Sequence, residues 1–202
     1  MNNDNSSNSA YFGKARCICI SYYENLPIGW VVTRLNTIGQ IVGGGTPSTG
    51  EPSYWNNGNI PWITPADLSG YTEKFIADGA RKITKKGLIE SSAVLMPANS
   101  ILFSSRAPIG YCSISKNEVC TNQGFKSIVP FISGMSEYIY YYLKAHIDEI
   151  SSRASGTTFK EISGTEFGNT IIMLPSLSEQ HRIVVAIELA FEQLKQISKN
   201  LS

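Results

Sequence analysis

The end of the chain reads Thr170-Ile171-Ile172-Met173-Leu174-Pro175-Ser176-Leu177-Ser178-Glu179-Gln180 and runs on without a helix breaker to Ser202. Two patterns meet in it. Thr170 to Leu174 is short and apolar, which predicts a strand. Pro175 interrupts it, and a helix is predicted to open at Ser178. Along that helix Ile183, Ile187, Ala190, Leu194, Ile197 and Leu201 follow one another by steps of 4, 3, 4, 3 and 4. Such steps keep one narrow seam facing a second helix, as in a coiled coil. Ser178 is the predicted cap, with Glu179 at the positive end of the helix dipole and Lys195 and Lys199 toward the other. The alternative is a terminal helix that packs back on its own domain.

Upstream lies a Ser/Gly loop with Gly156-Thr157-Thr158-Phe159. Before it a helix is predicted from Ser136 to Ser151, with Ile139, Leu143, Ile147 and Ile150 on one face. From Trp30 to Pro130 the pattern is short and β-like. Ile38 to Val42, Ile60 to Ile63, Ser100 to Phe103, Gly110 to Ile114 and Phe125 to Phe131 are apolar runs set between Gly, Pro, Asn and Ser. A strand is also expected to begin at Trp30-Val31-Val32, and Thr84 to Ile89 reads as one helical turn. The first nine residues are polar and of low complexity, which predicts disorder. The expected class is α+β: a mostly antiparallel, β-rich domain with a helix, followed by a projecting C-terminal coiled-coil helix. The expected division is an N-terminal arm over 1–24, a sheet domain over 25–177 and a helical segment over 178–202.

At 202 residues with 42% apolar content, the chain has material for one compact core plus an appendage. The formal net charge is +1, so any nucleic-acid role has to come from a local basic face. Cys17, Cys19, Cys112 and Cys120 form no Cys-x-x-Cys and have no histidine at zinc spacing. They are expected to be structural or incidental thiols, and no metal site is predicted. No apolar run is long enough to span a bilayer and no signal-peptide pattern opens the chain, so a cytoplasmic setting is expected.

Catalytic patterns fail at defined positions. Gly43-Gly44-Gly45 with Gly50 resembles a phosphate loop, but Glu51-Pro52 stand where such a loop needs Lys-Ser/Thr. His146 and His181 lack ligand-spaced neighbours. The carboxylate-x-Lys core of metal-dependent nucleases, the Asn-Pro-Pro-aromatic tetrapeptide of amino-methyltransferases and the Gly-x-Ser-x-Gly elbow do not occur. Basic residues instead gather in loops: Arg81, Lys82, Lys85, Lys86, Arg106, Lys126, Arg153 and Lys160, among Asn, Gln, Thr and Tyr. These side chains suit phosphates and base edges, and equally suit an ordinary solvated surface.

Taken in order, these residues resemble a specificity subunit of a type I restriction-modification system, as one target-recognition domain with its adjoining helix. The resemblance spans about Leu26 to Ser202. It runs through Leu26-Pro27-x-Gly29-Trp30, Gly45-Thr46-Pro47-Ser48, Trp55, Ile60-Pro61-Trp62-Ile63 and Asp67, then Ile83-Thr84 with Gly87 and Ala93-x-Leu95-x-Pro97. It continues in Ser104-Ser105-Arg106-Ala107-Pro108-Ile109-Gly110, Thr121-Asn122-Gln123-Gly124-Phe125 and Gly156-Thr157-Thr158-Phe159-x-Glu161-Ile162. It ends in Leu174-Pro175-x-Leu177-x-Glu179-Gln180-x-Arg182-Ile183.

The resemblance implies a non-catalytic subunit that binds one half-site of a bipartite double-stranded DNA target. It further implies methyltransferase and restriction subunits as partners, which would bring S-adenosylmethionine, ATP and Mg, with no cofactor in this chain. Family members usually carry two such domains, whose helices pair antiparallel as a spacer; this chain has one. The seam from Ile183 to Leu201 then implies a homodimer or pairing with a second half-subunit, and a symmetric dimer would read an interrupted palindrome. The expected base readers are Arg106, Asn122 and Gln123, with Thr46 and Ser48 behind them. Lys85, Lys86, Lys126 and Lys160 are the expected phosphate neutralisers. The alternative for Arg106 is a brace for its own turn, bonded to backbone carbonyls. Gly156 to Phe159 and the start of the last helix are the expected joint for partner subunits. A small nuclease and a purely structural oligomerisation module are the competing functions.

Overall fold

The computed structural model describes residues 26–106, 108–158 and 160–201. The arm expected over 1–24, with Cys17 and Cys19, and the side chains of Ala107 and Phe159 lie outside these described residues.

The class is α+β, and the described residues form three sheets that are mostly antiparallel. Strand β1 (Val31–Arg34) leads through a helical turn, α1 (Leu35–Ile38), into β2 (Gly39–Gly43). Then come β3 (Ile60–Ile63), β4 (Phe75–Ile76), β5 (Arg81–Ile83) and α2 (Lys85–Ile89). They are followed by β6 (Ile101–Phe103), β7 (Cys112–Ser115), β8 (Cys120–Thr121) and β9 (Lys126–Pro130). Helices α3 (Ser136–Ala145), α4 (Ile147–Ser152) and α5 (Gly164–Gly168) precede β10 (Ile171–Leu174) and α6 (Leu177–Leu201). The central sheet has the order β2-β9-β6-β7-β4, a smaller one β5-β3-β8, and β1 pairs with β10. Two pairings, β3 with β8 and β4 with β7, are parallel.

Strand β6 shows why the sheets hold together. Ile101 and Phe103 face one way, into a cluster with Ile114, Ile128, Ile139, Leu143 and Phe167 under helices α3 and α5. Leu102 faces the other way, toward Ile63, Met96, Val119 and Phe125. All three β6 residues are fully buried, so the strand is apolar on both faces and the domain is built in layers around it. Phe103 stacks on Phe167 with ring centroids 5.0 Å apart.

Three local expectations are corrected. The helix predicted from Ser136 to Ser151 is two helices, broken at His146. Just past the break Ile147 packs on Gly110, where a Cβ would come within 2.6 Å of Ile147 Cγ2, and His146 stacks on Tyr142 at 4.0 Å. The last helix begins at Leu177 rather than Ser178. Its cap is Ser176, whose hydroxyl accepts from the Glu179 N–H at 3.4 Å and whose carbonyl accepts from Gln180 N–H at 2.9 Å. The first strand opens at Val31, after a turn in which the Trp30 N–H bonds the Pro27 carbonyl.

The register Val31↔Leu174 through Arg34↔Ile171 brings the strand that leads into the last helix beside the first described strand. Buried Gln180 then donates from Nε2 to the Pro175 carbonyl at 2.9 Å, which ties the first turn of α6 to the end of β10. Val184 is buried and Phe191 stacks on Tyr141 of α3. Beyond that turn the seam is open: Leu194 is 59%, Ile197 55% and Leu201 83% exposed. The helix therefore docks by its first half and leaves the domain by its second.

Candidate nucleic-acid interface

Three loops and a hairpin converge at one edge of the sheets. The first is the glycine loop after β2. Its Gly45 N–H bonds the Thr121 carbonyl at 2.9 Å, and the Gly45 carbonyl accepts from the Trp62 indole N–H at 2.9 Å. Further along, the Ser48 carbonyl accepts from the Trp55 indole at 3.0 Å. Trp55 and Trp62 meet edge to face, 5.0 Å between centroids, and the Arg81 guanidinium lies 3.5 Å over Trp55. The loop is thus slung between two indoles. Its glycines exist for close approach: a Cβ on Gly44 would lie 1.8 Å from the Asn122 carbonyl oxygen, and one on Gly45 would lie 2.3 Å from Ser92 backbone. This explains the run that only resembled a phosphate loop.

The second loop is Thr121 to Phe125. Asn122 N–H bonds the Ile63 carbonyl at 3.0 Å, and its side-chain Oδ1 accepts from Gly124 N–H at 2.9 Å, closing a tight turn. The third, after β6, is held by Ser104. Its hydroxyl donates to the Pro108 carbonyl at 2.7 Å and accepts from Tyr111 N–H at 2.8 Å. Ser105 N–H bonds the Gly124 carbonyl at 2.7 Å, while its own carbonyl accepts from Ile162 N–H at 2.8 Å. Ser155 and Glu161 exchange backbone bonds at 3.1 and 2.9 Å, making a hairpin whose tip is Gly156-Thr157-Thr158, with Gly156 at φ +126°. Arg106 bridges Glu161 of that hairpin. The Ser155–Glu161 hairpin that carries Gly156 to Thr158 is thereby stitched to the Arg106 loop.

Thr46, Arg106, Asn122 and Gln123 therefore stand together. The Thr46 hydroxyl donates to Gln123 Oε1. The Arg106 side chain passes over Gly124, where a Cβ would meet its Nε at 3.3 Å. Among the described residues its guanidinium has no hydrogen-bond or ion-pair partner. Asn122 Oδ1 and Gln123 Oε1 each accept one bond within the chain, while the two amide nitrogens and the guanidinium supply donors. Ser48 is exposed and contributes its carbonyl to Trp55.

The basic residues divide. Lys85 and Lys160 are exposed, and Lys86 is exposed with its ammonium 3.2 Å from the Ser53 hydroxyl. Lys126 is corrected: only 17% of its side chain is exposed and it pairs with Glu161 at 3.0 Å, so its charge is already matched within the chain. Lys82 pairs with Asp78 at 2.6 Å. Arg153 is structural, donating to the Glu166 carbonyl at 2.9 Å and to Thr170 Oγ1 at 2.7 Å. Glu161 and Asp67, both missed as partners in the sequence reading, hold this region. Asp67 bonds the Thr64 and Ala80 N–H groups at 2.7 and 2.8 Å. Burial pushes the Cys112 and Cys120 thiols up to about 12, so both stay protonated and unreactive at neutral pH. Among the described residues no cluster of three or more His, Cys, Asp or Glu is placed to hold a metal, and no helix is long and apolar enough to cross a membrane.

Residues 27–201 match the family model of the type I restriction modification DNA specificity domain. The chain belongs to that family. Its relatives include the MjaIX specificity subunit of Methanocaldococcus jannaschii, 42% identical over 164 residues, or 80% of this chain and 38% of that protein. The EcoR124I/EcoR124II specificity subunit of Escherichia coli is 30% identical over 76% of this chain and 39% of its own length. A solved chain from work on assembly and conformational transition of the type I system superposes with a TM-score of 0.69, at 25% identity, covering 87% of this chain and 42% of that one. The HsdS subunit from Thermoanaerobacter tengcongensis shares the fold, with a TM-score of 0.68 at 24% identity over 88% of this chain and 41% of that one. This specificity domain thus spans about two fifths of the length of the relatives it matches.

Proposed function

We propose that this specificity domain is a non-catalytic reading head that binds one half-site of a bipartite double-stranded DNA target. Methyltransferase and restriction subunits are its partners and carry the chemistry, with S-adenosylmethionine, ATP and Mg on their side. The observation that supports it most is the Arg106 guanidinium, held over Gly124 without a hydrogen-bond or ion-pair partner among the described residues and flanked by the amides of Asn122 and Gln123. A cluster of donors on backbone-stitched loops suits acceptor edges in the major groove, such as guanine O6 and N7 or thymine O4. Lys85 and Lys160 supply sequence-independent attraction to phosphates. With a net charge of +1 the head alone binds weakly, and useful affinity arises in the assembly.

Random-site selection with cognate methyltransferase subunits tests the reading. One enriched half-site is expected; none, even in the assembly, would leave a structural oligomerisation module. Arg106→Ala is expected to cost about 1–3 kcal/mol and to relax the consensus at one position. An unchanged consensus with weaker binding would reassign Arg106 to the phosphate backbone. Lys85→Ala, by contrast, is expected to weaken all sequences evenly and to lower the salt slope by about one.

A further inference from the structure

We propose that Lys74 is a positioning residue that fixes the angle between the domain and helix α6, and through that angle the base-pair separation of the two half-sites. The inference rests on the half-site reading above. Lys74 stands just before β4, and its side chain is 19% exposed. Its backbone carbonyl accepts from Ile114 N–H at 2.9 Å and from the Ser113 hydroxyl at 3.0 Å, so the residue is stitched to the central sheet. Its ammonium binds two carboxylates from different elements: Glu137 in the first turn of α3 and Glu188 in α6. Tyr141 of α3 donates its hydroxyl to Glu188 at 3.4 Å, lies 5.6 Å from the Lys74 ammonium, and stacks on Phe191 with centroids 6.4 Å apart. One cation joins the sheet, the covering helix and the rod.

The Lys74 hydrogen bond holds the Glu188 carboxyl below its ordinary range, so the pair stays charged at neutral pH. Beyond this point contact with the domain thins. A cleft of about 970 Å³ opens between α3 and the rod, lined by Tyr140, Lys144, Phe191, Leu194 and Lys195. Lys74 therefore sits at the fulcrum of a lever. From Glu188 to Leu201 the helix extends about 20 Å at 1.5 Å per residue. A swing of about 10° moves its tip roughly 3.4 Å, the rise of one base pair. An exposed ion pair contributes little stability, but a partly buried one shared by three elements restricts orientation.

The test uses the assembled complex and the half-site that the wild-type chain selects. Duplexes carrying two inverted half-sites at graded spacings are offered in competition. Wild type is expected to recover one spacing. Lys74→Met is expected to spread recovery by about one to two base pairs, with an unchanged half-site sequence, and Lys74→Arg to restore the sharp optimum. Glu188→Gln leaves the Lys74–Glu137 pair inside the domain intact and should broaden spacing in the same way, which separates the lever from loss of folding. A spacing optimum as sharp in Lys74→Met and Glu188→Gln as in wild type overturns the inference alone. Failure of the wild-type assembly to enrich any half-site overturns the reading head, and the inference with it.

Discussion

Gly44→Ala is expected to abolish half-site binding while leaving a folded, weakened domain. The added Cβ would stand 1.8 Å from the Asn122 carbonyl oxygen and 2.5 Å from Thr121 Oγ1. A backbone atom cannot rotate aside as a side chain does, so the glycine loop and the 121–125 loop must part. Overpacking of this kind costs about 1–3 kcal/mol, and a backbone obstruction belongs at the upper end. More important is what moves with it: the Thr46 bond to Gln123 and the turn that carries Asn122. Gly43→Ala is the control, because nothing lies within 4 Å of its Cβ position. Denaturant unfolding and selection of the half-site, measured on both variants, check the prediction. Wild-type binding by Gly44→Ala would show that the loop junction does not shape the reading surface.

Leu194→Glu with Ile197→Glu is expected to convert a self-associated chain into a monomer without unfolding the domain. Both residues are more than half exposed, so their replacement leaves the described core untouched. Fully burying a Leu or Ile side chain stabilises by about 1.5–3 kcal/mol. Two such residues on each of two helices amount to roughly 6 kcal/mol or more, about four powers of ten in dissociation constant. The carboxylates would add the cost of burying charge. Sedimentation of both proteins at matched concentration measures this, and a wild-type chain that stays monomeric at high concentration refutes the pairing. Ile187 is a poorer probe, because it is half-buried against the domain's own α3 and lines the cleft there.

The strands were readable because each is a short apolar run closed by Gly, Pro, Asn or Ser, and β6 in particular is flanked by Ser100 and Ser104. The α6 seam was readable because a helical period is a local property. The helix break at His146 was not, since nothing between Ser136 and Ser151 breaks helices; it falls beside Ile147, which packs closely on Gly110, far away in sequence. The cap moved from Ser178 to Ser176 because the chain could begin its turn as soon as Pro175 released it, with the Gln180 side chain holding the junction. Lys126 looked like a free cation because its partner Glu161 is 35 residues away.

Of the candidate readers, residue types and loop positions were visible along the chain, but which of their atoms remain available was not. Asn122 and Gln123 each present both an acceptor and donors in sequence; only folding engages their oxygens with Gly124 N–H and the Thr46 hydroxyl. Period, composition and ordered motifs thus established the fold class, the long last helix and the family, because each is carried by neighbours along the chain. The assembly of the reading surface, the pairing of the basic residues and the angle at which the rod leaves the domain arose in three dimensions. They depend on contacts such as Lys74 with Glu188, 114 residues apart, which no local pattern encodes.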